Sequence, residues 1–201
     1  MAEPNHAGIA FEKPARATSL HCPPLSPDHS IRSILSQMRQ WWSRIYTGVL
    51  EDLTSRAFTA VDSSKDQAVG TLLLRLCAPT DKGTGIWTMY NITPDHGEAA
   101  FKSMIDGMVE HRERLITETH FLIELFGVDH GYKGRGIGQR LLAMACEATD
   151  DSSREIFVQA NASAKGFYCK QGFEVKGETV MPGELEYKEY MLVRPCSKRA
   201  S

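Results

Sequence analysis

Three glycines at alternate positions, Gly134, Gly136 and Gly138, lie in the run Val128–Leu142, which reads VDHGYKGRGIGQRLL. An apolar stretch leads into them and an amphipathic one follows. The spacing predicts a strand, a glycine-rich turn and the opening of a helix. Glycine tolerates positive φ and lets the backbone approach a ligand closely. A helix N-terminus offers unpaired N–H groups and a partial positive charge. Together they form a cradle for a phosphate. Lys133, Arg135 and Arg140 add positive charge there, in a chain whose formal net charge is −2. The bland alternative is a tight strand-to-helix turn without a ligand.

Two common phosphate loops fail on spacing. A P-loop needs a glycine, four residues, then Gly-Lys-Ser or Gly-Lys-Thr, and no such string occurs. A dinucleotide fingerprint wants a third glycine where Gln139 stands, and it belongs near the first strand. Here the turn falls about two-thirds along the chain.

A second block follows downstream, Asn161-Ala-Ser-Ala-Lys-Gly-Phe-Tyr168-Cys-Lys-Gln-Gly172-Phe173. Taken alone, Asn161 reads as a helix N-cap and Tyr168 as a core aromatic on a short helix. Upstream, Glu124 is the one acid inside the apolar run HFLIELFGV. A buried carboxylate is costly unless it is paired or functional. A general base and a structural salt bridge are both open for it. His120, on the same strand face, is the second candidate for the base.

The string K-G-R-G-I-G resembles the acetyl-CoA pyrophosphate loop of the GCN5-related N-acetyltransferase (GNAT) family: Gln or Arg, two residues, Gly, one residue, then Gly or Ala. Lys133 stands where the family has Gln or Arg, while Gly136 and Gly138 fit. The block from Asn161 to Phe173 resembles the family's second stretch, with the tyrosine seven residues after the asparagine. The resemblance covers about Ala57–Pro195 and is similar to fungal-type members with a helix between the third and fourth strands, here Pro94–Ile116. It implies an α/β fold, a mixed and mostly antiparallel central sheet with flanking helices and a splayed fourth and fifth strand. It also implies acetyl-CoA as the donor. The N–H of Phe126 would bond the thioester carbonyl and Val128 would pair with pantetheine, with Gly127 supplying the bulge that the splay requires. Lys133, Gly134, Arg135, Gly136, Ile137, Gly138 and Gln139 would supply backbone donors to the pyrophosphate. Tyr168 would protonate the departing sulfur, and Asn161 would bind the cofactor or an ordered water. Glu124 would act as the base on the acceptor side. The acceptor is read as a small-molecule amine, and a homodimer is left open. Tyr90, Asn91, Trp41, Trp42 and the loop Gly177–Glu186 are candidates for its pocket.

The elements that must position these groups follow from periodicity. Residues 1–30 hold five prolines and little apolar pattern, which predicts an irregular arm with an extended piece near Gly8–Phe11. The resemblance makes residues 31–201 the acetyltransferase domain. Ile31, Ile34, Leu35, Met38, Trp41, Trp42 and Ile45 recur at helical spacing. Ala57–Val61 and Ala68–Leu76 read as a hairpin, and Trp87–Ile92 as an extended piece. A helix opens at Pro94. His120–Val128 is a central strand, Gln139–Thr149 a helix and Glu155–Ala160 a strand. Ala162–Gln171 is a helix stopped by Gly172. Phe173–Lys176 and Lys188–Val193 close the sheet.

Length and an apolar share of 42% suit a single core. Near-neutral charge argues against nucleic acid and gives no general attraction to anionic membranes. The five cysteines are scattered, without a C-x-x-C metal or redox pair. Reduced thiols, no metal, and a soluble cytoplasmic protein are therefore expected.

Overall fold

β-Branched and leucine-rich runs form the strands, and glycine marks where they must turn or let another element approach. The computed structural model describes residues 9–12, 42–44, 46–78, 81, 98–181 and 187–196. The strands are β1 (Ile9–Glu12), β2 (Ser55–Asp62), β3 (Gln67–Cys77), β4 (His120–Val128), β5 (Ile156–Asn161), β6 (Glu174–Met181) and β7 (Tyr187–Arg194). The helices are α1 (Glu98–Leu115), α2 (Ile137–Glu147) and α3 (Ala162–Cys169). Residues 42–44 and 46–51 are also helical.

The strands join in one sheet of order β1-β2-β3-β4-β5-β7-β6. β4 and β5 run parallel, and the other neighbouring pairs are antiparallel. The mixed, mostly antiparallel sheet expected from the sequence is therefore present. The extended piece near Gly8–Phe11 is β1, which adds an edge strand to β2 with Ile9 opposite Asp62. Most of the amphipathic run Ile31–Ile45 and all of Trp87–Ile92 lie outside the described residues.

One face of the sheet is covered by α2 and α3. Leu72, Leu74, Phe121, Ile123, Ile156, Val158 and Leu192 pack there with Ile137, Leu141, Leu142 and Tyr168. Burying each such side chain is worth about 1.5–3 kcal/mol. The α2 positions Ile137, Leu141, Leu142 and Ala145 share one face because they are three or four residues apart. The Thr149 hydroxyl closes this helix by donating to the Cys146 carbonyl at 2.8 Å. On the opposite face, Ile116 meets Phe157, Met191 and Val193. Val49 packs there on Leu73, flanked by Trp42, Tyr46 and Leu125.

The closing strand differs from the sequence reading. β6 runs on to Met181 instead of stopping at Lys176. Val175 opposes Leu192 and Gly177 opposes Met191, so Lys176 is bulged out and the ladder continues through Thr179 and Val180. A Cβ on Gly177 would come within 2.9 Å of the Met191 Cε, so glycine suits this close approach.

Candidate active site

β4 and β5 are paired only at Phe121 with Ile156 and Leu122 with Phe157. Past that point β4 follows β3, and β5 follows β7. The cause lies in β4 itself. Ile123 opposes Leu74 and Leu125 opposes Leu73, so Glu124 is an extra residue, a β-bulge that bends the strand. Gly127, expected from the sequence to supply this bulge, stays in register with Thr71. The physical reason is an ion pair: Glu124 Oε2 accepts from Arg75 Nε of β3 at 2.8 Å. Glu124 and Leu125 therefore both face the side that carries Arg75 and Leu73. A Cβ on Gly127 would meet nothing within 4 Å, so the gap beside it is open.

The glycine turn sits at the open end of the gap. Asp129 begins it by accepting from the Gly131 N–H at 2.7 Å. The Lys133 N–H donates to the His130 carbonyl at 3.2 Å, which leaves the free backbone donors from Gly134 onward. Gly134 (φ 80°) and Gly136 (φ 77°) adopt the left-handed region that favours glycine. Gly136 is the N-cap of α2, with no side-chain cap. The amides of Ile137, Gly138 and Gln139 thus open a helix whose first turn lacks a side-chain acceptor. Ile137 is fully buried and anchors that turn. Gly138 lies against Phe126 and Val128, where an added Cβ would make contacts of 3.5 and 3.6 Å.

A network that the sequence reading missed ties this turn to the β2–β3 connection. The Tyr132 hydroxyl donates to Asp62 Oδ2 at 2.5 Å, and Lys65 Nζ donates to the Tyr132 hydroxyl at 2.8 Å. Hydrogen bonds from Ser64 and Tyr132 hold the Asp62 carboxyl down at about 2. The Arg135 guanidinium lies 4.7 Å from the centre of the Tyr132 ring. No local pattern relates positions 62 and 132, so only the fold reveals this group.

Across the gap, Tyr168 is buried against three rings: Phe167 at 5.3 Å, Phe173 at 5.4 Å and Phe126 at 6.2 Å. Burial pushes its phenol pKa well up, so it is a protonated group. Asn161 ends β5 and caps α3, its Oδ1 accepting from the Ala164 N–H at 3.0 Å. The opposite face of the sheet carries the polar groups. Arg75 Nη1 reaches Asp81 Oδ2 at 2.5 Å, and Arg112 Nη2 reaches the Asp81 carbonyl oxygen at the same distance. His120 Nδ1 lies 2.9 Å from the Glu118 carbonyl oxygen, and burial lowers its pKa. Trp42 belongs to the core beside Val49, while Trp41, Tyr90 and Asn91 lie outside the described residues.

A parallel strand pair parted by a bulge, with an uncapped helix start at its mouth, is the layout that the resemblance implies for a CoA thioester site. Residues 99–190 match the family model for the acetyltransferase (GNAT) domain. Over that stretch, from α1 into β7, the chain is similar to acetyl-CoA-dependent acetyltransferases. The fold is shared with a mosquito arylalkylamine N-acetyltransferase-like 5b structure, at TM-score 0.58 and 16% identity over 76% of this chain and 79% of that one. Arabidopsis thaliana NAA60, solved with a bisubstrate analogue, aligns at TM-score 0.54 and 16% identity over 94% and 98% of the two chains. A Corynebacterium glutamicum structure described as histone acetyltransferase HPA2 and related acetyltransferase gives 0.55 and 15% over 84% and 80%. No curated protein matches the sequence at a significant level. The residues present suit the donor: an uncapped helix start, two left-handed glycines and an open strand edge. Among the described residues no helix is long and apolar enough to cross a membrane, and Cys77, Cys146 and Cys169 are free thiols.

Proposed function

We propose that this enzyme acetylates the amine of a small molecule, with donor and acceptor bound together and the acetyl group passed directly between them. The observation that carries this reading is the parting of β4 and β5 after Leu122, with the glycine turn at its mouth and Tyr168 on one flank. The amides from Gly134 to Gln139 hold the pyrophosphate, with Lys133 contributing its side-chain charge. Phe126 and Val128 line the strand edge, the Phe126 N–H bonding the thioester carbonyl and Val128 pairing with the pantetheine arm, with Gly127 keeping that edge open. Polarising that carbonyl and fixing the reacting atoms are the two largest contributions a protein can make here. Tyr168, kept protonated by burial, donates to the departing sulfur.

Glu124 enters from the other face, at the bulge. Its Oε2 is held by Arg75, which fixes a carboxylate beside the gap on the acceptor side. In this role Glu124 orients the amine and receives its proton. A small acceptor fits a face where His120, Arg112 and Glu189 are all buried better than it fits an exposed charged groove.

The test is a thermal-shift titration with acetyl-CoA, CoA, NAD and ATP, followed by thiol release across a panel of primary amines, alcohols and peptides. Selective stabilisation by the CoA pair and thiol release with small amines are expected. Stabilisation without release by any acceptor would instead indicate a CoA-binding regulatory module. Release with peptides or alcohols alone would move the acceptor to protein amines or hydroxyls.

A further inference from the structure

Among the described residues, the acceptor face holds buried polar atoms without a hydrogen-bond partner: His120 Nε2 and, where β4 has parted from β5, one each on Glu189 and Gln159. Glu189, near the start of β7, is 7% exposed, and its Oε2 is buried without a hydrogen-bond partner. Gln159 of β5 has a buried Nε2 that is likewise without a partner. The register places Asn161 opposite Glu189 and Gln159 opposite Met191. Residues two apart on a strand share a face, so Gln159 and Glu189 lie with Phe157, Met191 and Val193 on the side away from α2. They are diagonal neighbours there, within reach of one molecule bound across both strands. Both positions fall in the part of β5 and β7 beyond Phe157, where β4 has already parted from β5.

Buried polar atoms without partners are rare, and each asks for a ligand or a water. A carboxylate oxygen and an amide N–H side by side call for a cation next to a hydrogen-bond acceptor. We propose that Glu189 and Gln159 form the acceptor-binding site, Glu189 taking the ammonium of a primary amine and Gln159 donating to an oxygen or ring nitrogen on the same molecule. This rests on the reading of the enzyme as an amine acetyltransferase and adds the groups that recognise the amine. Glu189 takes the first proton of the ammonium, while Glu124, whose Oε2 is held by Arg75, remains the base for the second. The other charged groups on this face are Arg75, Asp81, Arg112, Glu124 and His120, while β6 presents the uncharged Thr179 opposite Glu189. Burial raises the Glu189 pKa, which makes its carboxylate a stronger proton acceptor.

The step balances as follows. Glu189 takes one proton from the ammonium, and the freed lone pair attacks the thioester carbon. The N–C bond forms and the C–S bond breaks, the departing sulfur taking a proton from Tyr168. The second proton released from nitrogen passes to Glu124, both carboxylates give their protons to solvent, and one proton from solvent restores the Tyr168 phenol.

The experiment compares wild type with Glu189→Gln and Gln159→Leu in CoA affinity, melting temperature and thiol release, using phenethylamine, tyramine, spermidine and histamine as acceptors. The sign of the stability effect is fixed. A carboxyl with a raised folded pKa loses its stabilising contribution as pH rises through that value, so Glu189→Gln melts at or above wild type at pH 8. Its kcat/KM for every amine that wild type acetylates falls about a hundredfold or more, with CoA affinity unchanged. Gln159→Leu raises KM for tyramine and histamine, which carry the oxygen or ring nitrogen it bonds, and leaves CoA affinity unchanged. Unaltered acceptor kinetics in both variants overturns the site, as does a lower melting temperature with parallel loss of CoA binding. If wild type binds CoA yet acetylates none of the amines, the amine-acetyltransferase reading itself falls, which is a separate result from wild-type turnover that the variants leave intact.

Discussion

Gly70→Ala tests how the core sets the position of α2, the helix proposed to hold the pyrophosphate. A Cβ at Gly70 of β3 would lie 3.1 Å from both Ile137 Cγ2 and Leu141 Cδ1, and 3.4 Å from Val128 Cγ2. Carbon atoms prefer about 3.5–4.0 Å, so α2 must retreat by roughly half an ångström. Both α2 side chains are fully buried and have nowhere to turn. Overpacking of this kind costs about 1–3 kcal/mol. The extra buried methyl offsets about 0.8 kcal/mol of that. A net loss near 1 kcal/mol lowers the melting temperature by about 2–4 °C for a chain of this size. The larger effect is on binding, because Ile137 is the first residue of α2 and its amide is one of those proposed to hold the pyrophosphate. A displacement approaching 1 Å can cost up to about a hundredfold, so a loss of about tenfold in CoA affinity is expected. Calorimetric titration and a thermal melt measure the two quantities on one sample. Gly138→Ala is the control: its Cβ would make ordinary contacts with Phe126 and Val128, so this variant melts at or above wild type. Unchanged CoA affinity in Gly70→Ala would refute the coupling between sheet and cradle.

Three further outcomes follow from the same geometry. Tyr168→Phe keeps the ring packing on Phe126, Phe167 and Phe173 but removes the proton, so kcat drops by about 10²-fold or more with CoA affinity retained. Equal loss of both would make the tyrosine a packing or binding residue. Arg75→Met leaves the Glu124 carboxylate buried without its guanidinium and destabilises the fold by about 3–5 kcal/mol, read by urea unfolding. Tyr132→Phe removes a bond that keeps Asp62 ionised. With the folded carboxyl at about 2 and the unfolded one near its ordinary value of about 3.9, wild type has this stabilisation above pH of about 4 and loses it as pH falls toward about 2. The acid-unfolding midpoint, followed by circular dichroism, therefore rises in the variant.

What was legible in the sequence was local. The strand His120–Val128 and the glycine turn after it are contiguous, and their residues decide their own conformations. The cap at Asn161 and the left-handed stop at Gly172 were readable for the same reason. The bulge was not, because Glu124 is drawn by Arg75, 49 positions away in the chain. Gly127 looked like the better candidate because glycine is permissive, yet an ion pair chose the residue three positions earlier. The Asp62–Tyr132 bond joins residues 70 positions apart and leaves no periodic trace. Glu189 read as one polar residue of a closing strand. Its isolation became visible only with β5 and β6 packed on either side.

The central claim is that backbone donors of the glycine turn and of the β4 edge hold acetyl-CoA. Amide hydrogen exchange with and without the ligand tests it most directly. Acetyl-CoA should slow exchange across Gly134–Gln139 and Phe126–Val128, while the β1–β2 edge keeps its free-state rates. Unchanged exchange in both segments under saturating acetyl-CoA would contradict the account.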